Sequence, residues 1–165
     1  MRKLFPTVLF LAMSAAFVSA QIPTKGNVFF GYAYNRASIV TNDARNLNGW
    51  EASLEGKMMP WVGLVGDIQG TYGDHISEHN FLFGPRVSVE VQNIRPFAHL
   101  LVGAGHIGIQ DGPSDTSFAN ALGGGADVKI TGPFAARGQL DWIHTRFFSH
   151  GQNDTRLSLG LVVNF

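Results

Sequence analysis

The sequence predicts an all-β protein, an eight-stranded antiparallel up-and-down transmembrane β-barrel. Three observations predict it: a proline-marked repeat, eight runs of alternating apolar and polar side chains, and an unusual composition. Charged residues make up 15% of the 165 residues, against roughly 25% in an ordinary soluble domain. The 20 glycines disfavour a helical bundle, and without cysteine neither a disulfide nor a thiolate site can form.

The first 20 residues are typical of an export signal. Arg2 and Lys3 precede an apolar run, and the small residues 18–20 form a cleavage site. Pro6 and Ser14 interrupt the run, so it is a poor bilayer-spanning helix. We therefore expect residues 1–20 to be a signal peptide and residues 21–165 to form the barrel domain.

Four prolines divide the rest of the chain into hairpins. Pro23, Pro60, Pro96 and Pro133 are separated by 37, 36 and 37 residues. Such a period also occurs in solenoids and propellers, but here each unit holds two alternating runs joined by a polar segment. These polar segments are Ala37 to Asn46, Gly73 to Glu78, Gln110 to Asp115 and Ser149 to Asp154. The pattern predicts long loops at one end of the strands and tight turns at the other.

Alternation separates the side chains of each run onto two faces. In the last run, Leu157, Leu159 and Leu161 share one face, while Arg156 and Ser158 share the other. Across the runs the polar face gathers acids and bases, which we expect to form a network of paired charges filling the lumen. The predicted lumen charge network is Glu51, Glu55, Lys57, Asp67, Arg86, Glu90, Asp127, Lys129, Arg137, Asp141 and Arg156.

Alternation alone leaves an inside-out alternative open, a soluble barrel whose apolar interior binds a lipophilic ligand. Aromatic residues at the strand ends favour the membrane version, because interfacial girdles of aromatic residues flank the apolar band of such barrels. The predicted girdle residues are Tyr34, Trp50, Trp61, Tyr72, Phe81, Phe97, Phe118, Phe134, Trp142, Phe147 and Phe165. The facing of the runs from Asn27, Pro96 and Ser117 is less clear from the pattern.

The export signal, the eight runs and a last strand ending in Phe165 resemble the small outer-membrane β-barrels of Gram-negative bacteria, of the OmpA transmembrane-domain and OmpX type within the porin family. The resemblance implies an outer-membrane location, among outer-membrane lipid and lipopolysaccharide. It also implies recognition of Leu161, Val163 and Phe165 by the barrel-assembly machinery. No basic stripe with interleaved aromatics indicates nucleic acid as a partner.

Two motifs resemble catalytic or cofactor signatures. Residues 103–108 match GxGxxG, but a turn follows where a dinucleotide site needs a helix. Residues 75–79 match HxxEH, but Gly73 and the following strand leave no room for the helix that a zinc peptidase needs. We expect no catalytic residue, cofactor or metal site; the most that the second motif allows is adventitious metal binding by Asp74, His75 and His79.

Histidines elsewhere raise the question of lipid A chemistry. His144, Thr145, Ser149 and His150 lie near one another in sequence, but no local pattern of a lipid A deacylase is present. His99 and His106 are expected to be paired inside the barrel. We therefore predict a non-enzymatic outer-membrane barrel contributing to envelope integrity or surface interaction. A narrow gated channel for ions or small solutes is the first alternative, and a lipid A-modifying enzyme the second.

Overall fold

A computed structural model describes residues 25–38, 44–73, 75–110, 112, 114–147 and 150–165. The predicted signal peptide lies outside these residues. The described chain forms eight strands: β1 Gly26–Ser38, β2 Ala44–Lys57, β3 Val62–Gly73, β4 Ile76–Ser88, β5 Ile94–Ile109, β6 Ser114–Thr131, β7 Phe134–Phe147 and β8 His150–Asn164. The described part of the chain contains no apolar helix of membrane-spanning length.

The strands close into one antiparallel barrel. Each strand pairs with the next, and β1 pairs with β8, with Val28 opposite Val163. Following the paired residues once around the barrel leads from Asp127 back to β6 at Ser117, ten residues away. With ordinary strand rise and spacing, this stagger tilts the strands by about 40°. The predicted fold class, including its closure by the first and last strands, is confirmed.

The connections differ from the prediction of long loops at one end. Residues 39–43, 74–75, 110–113 and 148–149 link the strands at the end we call the loop side. Residues 58–61, 89–93 and 132–133 link them at the other end, the turn side, where β1 begins and β8 ends. The two sets are similar in length, so the predicted asymmetry is wrong. The described ends of the polar segments belong to the strands instead, because their backbone groups pair, as Ser114 does with Gly108.

Apolar side chains face outward and polar ones face inward. Leu157, Leu159 and Leu161 are 44–58% exposed, whereas Arg156 and Ser158 are fully buried. The inside-out alternative required these leucines to line a cavity, and it is therefore wrong. Small apolar clusters also lie inside, among them Phe29, Ala135 and Val162 near the turn side.

Nine of the eleven predicted girdle residues point outward: Tyr34, Trp50, Trp61, Tyr72, Phe81, Phe118, Phe134, Trp142 and Phe165. The prediction for Phe97 is wrong. Phe97 is 6% exposed and lies inside the barrel, because it shares the inward face of β5 with His99 and Leu101. The side chain of Phe147 lies outside the described residues.

Candidate functional site

The predicted charges occupy different levels of the barrel. Eight of them are buried in the interior: Glu51, Glu55, Asp67, Arg86, Asp127, Arg137, Asp141 and Arg156. Lys57 is half-buried at the end of β2, where its Nζ donates to Ser88 Oγ at 3.0 Å. Glu90 and Lys129 are exposed, so the prediction that they join the filled lumen is wrong. Glu90 follows the end of β4, and the last turn-side residues of β6 reach past the packed interior.

The turn-side layer is built on Asp127. Arg137 donates from Nε to Asp127 Oδ1 at 2.6 Å and from Nη2 to Oδ2 at 3.0 Å. Arg95 donates to the same Oδ2 at 2.7 Å from its Nη2. Two guanidinium groups therefore share one carboxylate, and a bidentate pair of this kind fixes both side chains in position.

Glu55 joins this layer to the next. Its Oε2 accepts from Asn27 Nδ2 at 2.8 Å, from Arg86 Nη1 at 3.3 Å and from Arg95 Nη2 at 3.4 Å. The donors come from β1, β4 and β5, so this carboxylate links strands that are not all neighbours in the barrel. Glu55 and Arg86 are both fully buried, so the loss of either partner would leave the other charge uncompensated in the interior.

The ring of Phe97 contacts two of these guanidinium groups. The Cζ atoms of Arg86 and Arg137 lie 4.3 Å and 4.8 Å from its centroid. Arg137 also lies over Phe29, at 5.0 Å. An aromatic face attracts cations, and it attracts them more strongly where water is excluded. The inward position of Phe97 therefore contributes an attraction to both arginines.

The middle layer is built on Arg156 and Asp141. Arg156 donates to Asp141 Oδ2 from Nη2 at 2.6 Å and from Nε at 2.9 Å, and to Asp67 Oδ1 from Nη1 at 3.0 Å. His99 lies between the two layers, with Nδ1 3.1 Å from Arg86 Nη2 and Nε2 2.7 Å from Asp141 Oδ1. The described charges thus form one connected network from Asp127 to Asp67.

Glu51 completes the middle layer with mostly neutral partners. Its Oε1 accepts from Gln139 Nε2 at 2.6 Å, and its Oε2 accepts from Ser158 Oγ. Arg156 Nε is 3.4 Å from the same Oε2. The Gln139 amide and the Ser158 hydroxyl therefore supply hydrogen-bond donors to the Glu51 carboxylate. A buried carboxylate needs such donors when the nearest guanidinium is this far away.

Sequence reasoning missed several members of this interior. Arg95 is two residues before the inward-facing Phe97, in a run whose facing was left open. Glu78 and Asp154 were assigned to loops, but both are buried within strands. The alternation along each strand could have assigned both residues to the inward face, since Glu78 is two residues before the inward-facing Asn80 and Asp154 is two residues before Arg156.

The GxGxxG motif lies within β5 and not before a helix. A Cβ atom at Gly103 would lie 2.0 Å from the backbone oxygen of Phe81, so this glycine lets β4 and β5 approach closely. The motif therefore lacks the helix N-terminus on which pyrophosphate binding depends.

The HxxEH residues likewise do not share a helical face. His75 lies in a turn and His79 faces outward on β4, with Nε2 3.1 Å from Tyr72 Oη, while Glu78 points inward. Asp74 lies outside the described residues. Nowhere in the described part do three histidine or carboxylate side chains group as metal ligands.

Of the residues considered for lipid A chemistry, the two whose side chains the structure describes, His144 and Thr145, face opposite sides of the barrel wall. His144 faces outward and its Nδ1 lies 2.8 Å from Asn153 Oδ1, whereas Thr145 is buried inside. Ser149 and the side chain of His150 lie outside the described residues. His106 was expected inside, but it is exposed on the outer face of β5, opposite in parity to the buried His99, and its Nδ1 lies 2.7 Å from Thr116 Oγ1.

No protein-family model and no curated protein sequence matches this chain. Solved structures do match it. Ail, the attachment invasion locus protein of Yersinia pestis, is 15% identical with a TM-score of 0.63, over 86% of this chain and 98% of that one. Neisserial surface protein A is 10% identical with a TM-score of 0.67, over 86% and 96%. The N-terminal β-barrel domain of Pseudomonas aeruginosa OprF is 18% identical with a TM-score of 0.59, over 85% and 99%.

The chain shares their fold. The resemblance to small outer-membrane barrels, inferred from the sequence, is therefore confirmed at the level of architecture. At 10 to 18% identity the similarity concerns the fold and assigns no residue a role.

Proposed function

We propose that this protein is a non-enzymatic outer-membrane β-barrel that contributes to envelope integrity or surface contact. The observation that carries the proposal is the division of its wall: an apolar outer face encloses a lumen filled by paired charges. In water, a fold that exposes apolar side chains and buries charged ones would be unfavourable. In lipid the same arrangement is favourable, because the apolar outer face contacts hydrocarbon chains.

The outer face fits a bilayer. Phe30, Phe83, Leu100, Leu122 and Leu159 are each more than half exposed and lie on different strands around the barrel. An exposed apolar surface that encircles a protein is far larger than the patches soluble monomers tolerate. Lipid chains are the solvent for which such a surface is suited.

The loop-side rim of the outer face carries basic groups. Among the described residues, the charged side chains and histidines that point outward there are all bases: Arg36, His79, His106, His144 and Arg146. Phosphorylated headgroups attract the two arginines, and the histidine rings can donate hydrogen bonds to phosphate oxygens. These groups support our proposal that lipopolysaccharide is the neighbouring lipid, with the loop side at the cell surface and the turn side in the periplasm.

Membrane fractionation with gel migration of unheated and heated samples tests the location and the barrel together. We expect an outer-membrane band that needs detergent for extraction and changes mobility on boiling. A soluble protein without a heat shift would contradict the proposal.

The interior argues for a closed lumen. The hydrogen-bonded side chains of the turn-side and middle layers cross it, and a barrel of eight strands is only wide enough for such side chains to fill. We expect the pure refolded protein to give no conductance events in planar bilayers. Regular single-channel events would favour the narrow gated channel instead.

Lipid A analysis tests the enzymatic alternative. Mass spectra of lipid A from cells with and without the protein should be the same, because His144 and Thr145 face opposite sides of the wall and cannot act together. A changed acyl pattern would contradict a non-enzymatic role.

A further inference from the structure

The turn-side mouth of the barrel holds an open cavity of about 540 Å³. This volume lies within the range of small-molecule sites, about 300–1,000 Å³. Its walls are the turns between the strands and the turn-side ends of the strands themselves. We call this cavity the turn-side vestibule, and the charged residues that line it are Lys25, Lys57, Glu90, Arg95, Asp127 and Lys129.

The lysines of the barrel domain are gathered in this vestibule. After the predicted signal peptide the sequence contains three lysines, Lys25, Lys57 and Lys129, and all three line the cavity. They come from distant parts of the chain, just before β1, at the end of β2 and near the end of β6. The fold therefore collects these ammonium groups at one end of the lumen.

The positive charges in the vestibule lie close together. Lys57 N donates to Lys25 O at 2.9 Å, next to the paired Gly26 and Gly56, so the two lysines are directly opposed. Like charges in directly opposed positions of a sheet destabilise it. Arg95 is also close enough to Lys57 for their charges to repel. This arrangement becomes more favourable when an anion lies between the bases.

The carboxylates at this end of the lumen do not balance the bases. Asp127 already accepts from Arg95 and Arg137. Glu55 already accepts from Arg86 and Arg95. In the described turn-side half of the lumen and its mouth, six bases face three acids: Lys25, Lys57, Arg86, Arg95, Lys129 and Arg137 against Glu55, Glu90 and Asp127. The excess is three positive charges, or two if Phe165 carries a terminal carboxylate.

The vestibule also offers hydrogen-bond donors that are not in use. Arg95 employs Nε and Nη2 in its ion pairs, while its Nη1 has no hydrogen bond to the described residues. Lys57 Nζ donates to Ser88 Oγ at 3.0 Å and to Pro60 O at 3.3 Å, which leaves one of its three protons. The side chains of the other two lysines are exposed and make no hydrogen bond or ion pair within the described chain. An anion can therefore be bound without breaking any of these interactions.

We propose that the turn-side vestibule binds a phosphate group. Arginine and lysine are the side chains that proteins use for phosphate, arginine through its planar fork and lysine as a point charge. A phosphate monoester carries about 1.5 to 2 negative charges at neutral pH, which matches the excess of positive charge better than a single carboxylate does. A cleft lined by one sign of charge also concentrates ions of the opposite sign.

Two sources of phosphate fit the position of the vestibule. In the orientation proposed above it opens to the periplasm, where free phosphate and the headgroups of inner-leaflet phospholipids are both within reach. The binding itself does not depend on that orientation, so a test on the purified protein stands apart from the test of membrane location.

Calorimetric titration of the refolded mature chain tests the proposal. Octyl glucoside is a suitable detergent because its sugar headgroup carries no charge and no phosphate. One arm adds inorganic phosphate at low salt, and the other adds short-chain phosphatidic acid. We expect saturable binding in at least one arm. Binding of inorganic phosphate identifies the free ion as a ligand, and binding of phosphatidic acid alone identifies a lipid headgroup.

Variants locate the binding. Lys57→Gln and Lys129→Gln should each weaken it by about five- to tenfold, because each removes one charged donor. Arg146→Gln removes an exposed base of the loop side and should bind as the unchanged protein does. Every variant is checked for the heat-dependent gel shift, which reports the folded barrel.

Three results would overturn the proposal. The first is the absence of saturable binding in both arms. The second is equal affinity of Lys57→Gln, Lys129→Gln and Arg146→Gln. The third is equal binding of chloride at the same ionic strength, which would show that the vestibule attracts anions without a site for phosphate.

Discussion

Replacing Arg156 by methionine tests whether the lumen charges hold the barrel together. Methionine keeps an unbranched side chain, shorter than that of arginine, and removes the charge and the donors. Asp141 then loses two donors, at 2.6 Å and 2.9 Å, and Asp67 loses one at 3.0 Å. Both carboxylates remain buried with fewer partners.

The magnitude follows from these distances. At an effective dielectric constant of about 20, each charge pair at such a separation attracts by about 6 kcal/mol. The cost of removing the guanidinium from water, several kcal/mol, offsets part of this attraction. Removing one partner of a buried ion pair costs about 3–5 kcal/mol, because the remaining charge is left uncompensated. We expect a loss of that size in the free energy of unfolding.

Urea unfolding of the refolded chain in detergent, followed by tryptophan fluorescence, measures the loss. Arg146→Met is the matched control, because Arg146 is exposed on the outer face, and it should change the free energy of unfolding by less than about 0.5 kcal/mol. Adding Asp67→Asn to Arg156→Met should recover part of the loss, since one uncompensated charge disappears. Equal effects of Arg156→Met and Arg146→Met would refute the reasoning.

Three further predictions concern the wall of the barrel. Leu159→Arg should lower the free energy of unfolding in lipid vesicles by about 2–4 kcal/mol. Thr155→Arg, also outward-facing but nearer the loop side, should lower it by less than about 1 kcal/mol. Equal losses in urea titrations would argue against a lipid-facing band. Gly123→Ala should lower the free energy of unfolding by about 1–3 kcal/mol, because the new Cβ would lie 1.8 Å from Asp141 Oδ1. At Gly66 a Cβ would meet nothing within 4 Å, so Gly66→Ala should be nearly neutral. Thermal melts that do not separate the two variants would count against a packed interior. Removal of Phe165 should reduce the amount of folded barrel in cells but not refolding in detergent, and unchanged assembly in cells would exclude it from the recognition signal.

The fold could be predicted from the sequence because alternation is a direct consequence of strand geometry. The runs ending at Phe165 and around Phe81 alternate cleanly, and their outward facing follows once lipid is assumed to be the solvent. The loop lengths could not be predicted this way. Polar residues above the membrane look like loops, yet Ser114 and its neighbours remain paired because solvated strands still satisfy their backbone groups.

The sequence predicted many of the residues that face the interior, but not which of them pair with each other. Parity identified Arg156 and Asp141 as inward-facing, but the closure of the barrel decides that Arg156 reaches Asp67, 89 residues away in the chain. Phe97 was assigned to a girdle because aromatics near turns ordinarily face the interface. Its inward position depends on the facing of β5, which glycines and a proline obscure in the sequence.

Spin-label accessibility tests the central claim most directly, namely that the apolar wall faces lipid. The chain has no cysteine, so a single cysteine introduced at Phe83, which is 53% exposed on the outer face of β4, carries the only label. In lipid vesicles, we predict that oxygen, which concentrates in the bilayer, relaxes this label more strongly than a water-soluble nickel complex. Stronger relaxation by the nickel complex would place this face in water and contradict the account.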